Sequence, residues 1–151
     1  MAAPSDVPEP AQRLAPAATW AWRASWLGAA LAAAVIGLAA GLSGALVAAI
    51  VVVLLAGAVV VPTLRYRRWR WEVREREIDL QRGVLIERRT LIPMDRVQHV
   101  ETERSIIGQA LDLATVKIHT AAGSHEIPLL AEYDAGRLRA RIAELARTRD
   151  G

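Results

Sequence analysis

At 151 residues, of which 53% are apolar, the chain has room for one small domain beside any membrane segment. It has no cysteine, which excludes disulfides and suits a cytoplasmic domain. The net charge is only +3, and most arginines outside one short run are interleaved with Glu or Asp, so the single-sign face that nucleic acid requires does not emerge. Only Lys117 is a lysine, an arginine bias that reads as genome composition before it reads as a role.

The first segment, Met1 to about Ala18, is rich in alanine and carries Pro4, Pro8, Pro10 and Pro16. By composition residues 1–20 form a disordered cytoplasmic tail. From Ala24 to Leu64 there is then no charged residue and no histidine. A charge at the centre of a membrane helix costs about 2.5–3.5 kcal/mol on insertion scales, so an uncharged tract of this length marks membrane. As one helix it would be about 60 Å long at ~1.5 Å per residue, twice the ~30 Å hydrocarbon thickness. Two crossings fit, over about 24–40 and 44–64, within a hairpin at 21–65. The break falls at Gly41-Leu42-Ser43-Gly44, where helix-weakening residues cluster.

Both ends of this hairpin belong on one membrane face. Trp20, Trp22 and Trp26 stand at its start and Tyr66, Trp69 and Trp71 at its end, as headgroup anchors. Arg13 and Arg23 precede it, and Arg65, Arg67, Arg68 and Arg70 follow it, while the turn is uncharged. The positive-inside rule then places both termini in the cytoplasm. The apolar run is too long for a cleaved signal peptide, and a second span follows at once. Small residues at Ala29, Ala33, Gly37 and Gly41 form a stripe for close helix approach, with the second span as the nearest partner.

Beyond Leu64 the pattern alternates. Trp71 and Val73, then Ile78 and Leu80, are each flanked by polar residues, and Gly83 marks a turn. Val84 to Ile92 reads as a third strand ended by Pro93, followed by Val97 to Arg104. Val116 and Ile118 lead through Ala122-Gly123 into His125–Leu130 as a hairpin. This period of two predicts six or seven antiparallel strands with one buried face. Ala131, Ala135, Leu138, Ile142 and Leu145 then switch to helical spacing, predicting a C-terminal helix that covers the sheet. The fold class is α+β, with residues 66–148 as the soluble domain.

Catalytic chemistry finds little support. His99, His119 and His125 lack metal-ligand spacing, although His99, Glu101 and Glu103 share one strand face. Ser105 and Ser124 are the serines of the domain, and neither sits in a nucleophile elbow. No glycine-rich phosphate loop follows a strand. Asp95-Arg96 reads as a structural turn, and Arg88 and Arg89 as groove or solvent residues. No metal, cofactor, small-molecule substrate or nucleic acid is implied. The strongest feature is Arg65-Tyr66-Arg67-Arg68-Trp69-Arg70-Trp71, in which Arg65, Arg67, Arg68, Trp69, Arg70 and Trp71 are candidates for anchoring at the interface and attracting anionic headgroups.

Three stretches carry a resemblance: Gly83 to Pro93, Asp95-Arg96-Val97-Gln98-His99-Val100-Glu101, and Leu111 to Gly123 followed by Ile127-Pro128-Leu129-Leu130. They resemble the bacterial pleckstrin-homology-like domain, in its YdbS-like, membrane-flanked branch. The resemblance runs from about Ala24 to Arg147 and departs at Gln109-Ala110-Leu111-Asp112-Leu113, where the family carries a Gly and an earlier Arg. It implies a PH-like antiparallel barrel or sandwich closed by the helix, in which Gly83, Pro93, Arg96, Val97, Gln98 and Gly123 are structural. It also implies no established catalysis, and action beside a larger paralogue with several such domains. Eukaryotic PH domains bind phosphoinositides at the first hairpin, where Arg74-Glu75-Arg76-Glu77 here interleaves acids with the arginines. The expectation is a non-enzymatic membrane-anchored module that docks a protein partner or forms a homo-oligomer in an envelope or stress role. The alternative is an anionic-lipid sensor.

Overall fold

The computed structural model describes residues 8–148. Two long helices come first, α1 at Ala18–Ala39 and α2 at Gly44–Arg68, both long and apolar enough to cross a membrane. They part where the sequence weakens. Gly41 adopts φ +75°, and the Leu42 and Gly41 amides donate to the Gly37 and Leu38 carbonyls, a Schellman ending that needs glycine's left-handed freedom. Ser43 then caps α2 by accepting from the Leu46 amide.

The helices meet through small residues. A Cβ on Gly37 would stand 2.9 Å from Val47, and one on Gly57 would stand 2.7 Å from the ring of Trp26. The contact face of α1 therefore includes Trp26, Ala30 and Gly37, rotated from the expected stripe, in which Ala29 is exposed. Much of the rest of the hairpin is exposed and apolar: Leu31 is 68% exposed and Val53 69%. Such a surface is stable only in an apolar medium.

The soluble part comprises two antiparallel sheets and a terminal helix. The first sheet runs β1 (Gln12–Arg13), β2 (Arg70–Val73), β3 (Glu77–Arg82) and β4 (Arg88–Pro93) in order. A 3-10 turn at Met94–Arg96 leads to the second sheet. That sheet orders β5 (Val97–Glu103), β6 (Leu113–Thr120) and β7 (Gly123–Ala131), with the short α3 (Ile106–Ala110) between β5 and β6. The sheets form a sandwich and do not close into a barrel. Period-two residues face inward as expected, with Ile78 opposite Ile92 and Val116 opposite Ile127. The amphipathic α4 (Glu132–Arg147) lays Ala135, Leu138 and Ile142 on this core.

Three expectations are corrected. The segment expected as a disordered tail is ordered from Pro8, its first seven residues lying outside the described ones. It supplies β1, where Gln12 pairs with Trp71 and Arg13 with Arg70, and it buries Leu14 beside Ala18 in the domain core. Unpaired backbone of β2 and an uncovered core edge are the physical reason: the segment satisfies both. The third strand begins at Arg88 rather than Val84, because Gly83 at φ +141° folds the chain so tightly that a Cβ there would meet the Ile86 carbonyl oxygen. Finally, Trp69 and Trp71, expected at headgroup level, are 2% and 6% exposed and belong to the soluble core. Each ring removes a large apolar area from water, and the sandwich edge offers a better site than the interface.

Candidate functional site

The arginine-rich run does not act as one patch, because helix ends and strand begins inside it. Arg65, on the last turns of α2, stacks over the ring of Trp22 at 4.4 Å. Arg67 and Arg68 are exposed at the helix end. Arg70 lies on β2 and pairs with Glu9 at 3.5 Å. The Trp71 indole nitrogen donates to the Arg13 carbonyl at 3.3 Å, so it fastens the N-terminal segment.

The family-motif residues are structural in their placement. Gly83 makes the tight turn already described. Pro93 ends β4 opposite Glu77, and Arg96 closes the 3-10 turn. The β5–β6 register slips between Val97 and His99, a bulge that leaves the exposed Gln98 outside the ladder. Gly123 at φ +135° opens β7 opposite Thr120, as the Ala122-Gly123 turn requires.

At the Arg74–Arg76 end of the sandwich, Arg74 and Arg89 are internally satisfied. Asp79, fully buried, is bonded by Arg89 at 2.6 Å and lies 3.5 Å from Arg74. Arg74 also bridges Glu72 at 2.8 Å and Glu77 at 3.3 Å. Both guanidinium groups donate to the Pro8 carbonyl, at 2.9 and 2.8 Å. The acids and the strap absorb Arg74 and Arg89, which leaves the exposed Arg76, next to Glu75 and Glu77, as the remaining cation of the first hairpin.

The outer face of the second sheet is likewise self-paired. His119 meets Glu101 at 3.1 Å, His99 lies 3.8 Å from the same carboxylate, and Lys117 pairs with Glu103. The hydrogen bond from His119 holds the Glu101 carboxyl below its ordinary range, and the bond to Glu103 raises the Lys117 ammonium. Among the described residues no group of three His, Cys, Asp or Glu is placed to hold a metal. Ser105 spends its hydroxyl on capping α3, accepting from the Gly108 amide at 3.0 Å.

Beside a shallow hollow of about 490 Å³ at Asp112, Ala131, Glu132 and Tyr133, two cavities are lined by arginines. One, of about 600 Å³, lies between α4 and the β1–β2 edge, and its mixed lining of Arg13, Arg137, Arg141, Asp134 and Glu144 selects no single charge class. The other, of about 420 Å³, opens beside the end of α2. Arg65 and Trp69, one helical turn apart, form one wall; Arg82 and Arg88 form another; and the exposed Leu85 and Ile86 form the rim. Of the groove residues expected from sequence, Arg88 lines this cavity and Arg89 does not, while Arg82, Leu85 and Ile86 were not anticipated. The available signal was a turn glycine and three apolar residues set between arginines, Arg82-Gly83-Val84-Leu85-Ile86-Glu87-Arg88.

Comparison with known proteins agrees with this architecture. Residues 18–146 match the family described as bacterial PH domain. The UPF0699 transmembrane protein YdbS of Bacillus subtilis (strain 168) is 46% identical over 102 residues, 65% of this chain and 64% of its own length. The UPF0699 transmembrane protein YdbT of the same bacterium is 26% identical over 74 residues, 49% of this chain and 15% of its own length. The matched stretch thus spans just under two thirds of YdbS and a small part of YdbT. No solved structure matches the chain. With the match running from the first residue of α1 almost to the end of α4, this chain belongs to the bacterial PH-domain family.

Proposed function

We propose that this chain is a non-enzymatic binding module, anchored in the cell membrane by two spans with both termini cytoplasmic, that docks a second membrane protein. One observation carries the posture: chain from before and after the hairpin closes a single core. Leu14 and Ala18 come from one side, Trp69 and Trp71 from the other. That shared core supports an even number of crossings. The arginines at 13, 23, 65, 67 and 68 all flank this face, whereas residues 40–43 carry no charge, which favours the cytoplasm for the domain. A domain fixed in this way holds its surfaces at a constant height over the bilayer, which suits a partner in the same membrane.

The docking surface on this reading is the corner between α3 and α4. Ile106 is 87% exposed, Ile107 and Leu111 lie near it, and the Glu132 amide bonded to the Asp112 carbonyl brings the exposed Tyr133 alongside. An apolar patch of this kind on a small domain favours a protein contact. The occupant is a longer PH-like relative, since one stretch of this chain is similar to both YdbS and the longer YdbT of one bacterium. An envelope or stress role belongs to this same reading. The alternative reading, lipid sensing by the Arg65–Trp71 run, loses weight because the run is divided between a helix end, a salt bridge and the core.

Two measurements test the reading. Because the chain lacks cysteine, Ser43→Cys and Ala122→Cys give unique labels: an impermeant reagent added outside cells should reach the first and not the second. Crosslinking in native membranes, followed by capture in mild detergent, should bring down the longer relative with wild type. Capture should fail with Ile106→Asp or Tyr133→Asp. Recovery of only a second copy of the chain would replace the partner with a homo-oligomer, and recovery of lipid alone would end the docking reading.

A further inference from the structure

We propose that the β3–β4 loop dips into the membrane and that the pocket beside it binds the phosphate of an anionic phospholipid in the same leaflet; this rests on the membrane-anchored reading above. The central observation is a repulsion built into the fold. Arg82 and Arg88 are directly opposite one another in the antiparallel β3–β4 register. Like charges in that position are destabilising, because the two side chains leave the sheet on one face with their Cβ atoms close together. Among the described residues neither is ion-paired, and Arg65, which feels the Glu126 carboxylate as well as the charge of Arg82, brings a third guanidinium to the same pocket. Elsewhere on this sheet Arg70, Arg74 and Arg89 each have a carboxylate. An anion seated among Arg65, Arg82 and Arg88 would relieve the repulsion, and guanidinium forks match the oxygen geometry of a phosphodiester.

The loop itself identifies which anion. Its tip is apolar: Leu85 is 93% exposed and Ile86 70%. The turn at Gly83 shapes this tip, since the Ile86 carbonyl folds back against the glycine. Depth follows from the sequence. About 20 residues span the hydrocarbon, which from Ala45 ends at Leu64, so Arg65 stands at the boundary with the headgroups. Because Leu85 and Ile86 share a pocket with Arg65, they reach the same depth, apolar tips inward and arginines at phosphate level. A soluble phosphate would leave those tips in water.

The test uses the full chain in vesicles of phosphatidylcholine alone or mixed with phosphatidylglycerol. A polarity-sensitive dye on Leu85→Cys should report an apolar environment and be quenched by nitroxide lipids; the same dye on Ala122→Cys should stay in water. Retention of phosphatidylglycerol should fall about five-fold for each arginine removed in Arg82→Gln and Arg88→Gln. Inorganic phosphate should not displace the lipid. In neutral detergent both variants should melt higher than wild type, because the repulsion is gone, and Arg88→Glu should raise melting further while abolishing retention. Leu85 in water while a dye on Val53→Cys is shielded overturns this proposal and leaves the anchoring intact. Both dyes in water would remove the anchoring itself. Unchanged lipid retention in the double glutamine variant also overturns the proposal.

Discussion

Arg89 grips the buried carboxylate of Asp79 side-on, with Nη2 at 2.6 Å from Oδ2 and Nε at 3.0 Å from Oδ1. The same guanidinium donates to the Pro8 carbonyl at 2.8 Å, so one ion pair inside the first sheet also holds the N-terminal strap. Asp79→Asn leaves Arg89 and Arg74 without their shared charge. It should cost about 2–4 kcal/mol, less than for a fully buried pair because both arginines reach solvent. Chemical denaturation of the detergent-solubilised chain measures this. Limited proteolysis should also cut the strap sooner in this variant, and an unchanged midpoint with unchanged cleavage would argue against the coupling.

The strap's apolar anchor is Leu14, 2% exposed among core residues that follow the hairpin. Leu14→Ala should destabilise the domain by about 2–4 kcal/mol, the usual range for a buried leucine whose site collapses only in part. Leu85→Ala, at an exposed position, should leave melting near wild type. Equal effects from the two substitutions would show that the segment before α1 is not part of the domain core.

Within the hairpin, Gly57 and Gly28 form a matched pair. A methyl group on Gly57 would run into the Trp26 ring, whereas nothing lies within 4 Å of the position it would take on Gly28. Gly57→Ala should therefore lower the melting temperature by separating the helices, at about 1–3 kcal/mol. Gly28→Ala should be neutral or mildly stabilising through helix propensity. Thermal melts of the two variants in one detergent decide the matter.

The Glu101–His119 contact sets a pH dependence. Its hydrogen bond depresses the Glu101 carboxyl in the folded state. A depressed acid adds stability that is present above its unfolded value and is lost as pH falls through the folded one. Lys117, raised by Glu103, has the opposite sense and loses its contribution as pH rises through its folded value. Glu101→Gln should therefore flatten the acid limb of a melting-temperature profile and leave the alkaline limb alone. Glu103→Gln should flatten the alkaline limb. An acid limb unchanged in the first variant would remove this pair from the pH response.

The elements legible in the sequence are those whose signal is local and repeated. The uncharged tract marks the hairpin, Gly41 to Gly44 its break, and the spacing of Ala135, Leu138 and Ile142 the helix α4. What stayed hidden depends on register between distant residues. Two residues, Gln12 and Arg13, have no periodicity to read, and their partner lies beyond the entire hairpin. Trp69 and Trp71 have the composition of an interfacial belt, and only the burial of β2 reassigns them. Arg82 and Arg88 look like unrelated surface charges until the pairing of β3 with β4 sets them face to face.

The strand at Gln12–Arg13 is synthesised before α1 and finds its mate, β2, only after both long helices have left the ribosome. The soluble domain is therefore incomplete as a contiguous stretch: started at Tyr66, it would lack an edge strand and Leu14. On the proposed two-span topology, maturation of the core is conditional on insertion of both helices. A chain that inserted only one helix would strand Leu14 and Trp71 in different compartments, leaving an open sheet edge and a bare indole as a signal for proteolytic quality control.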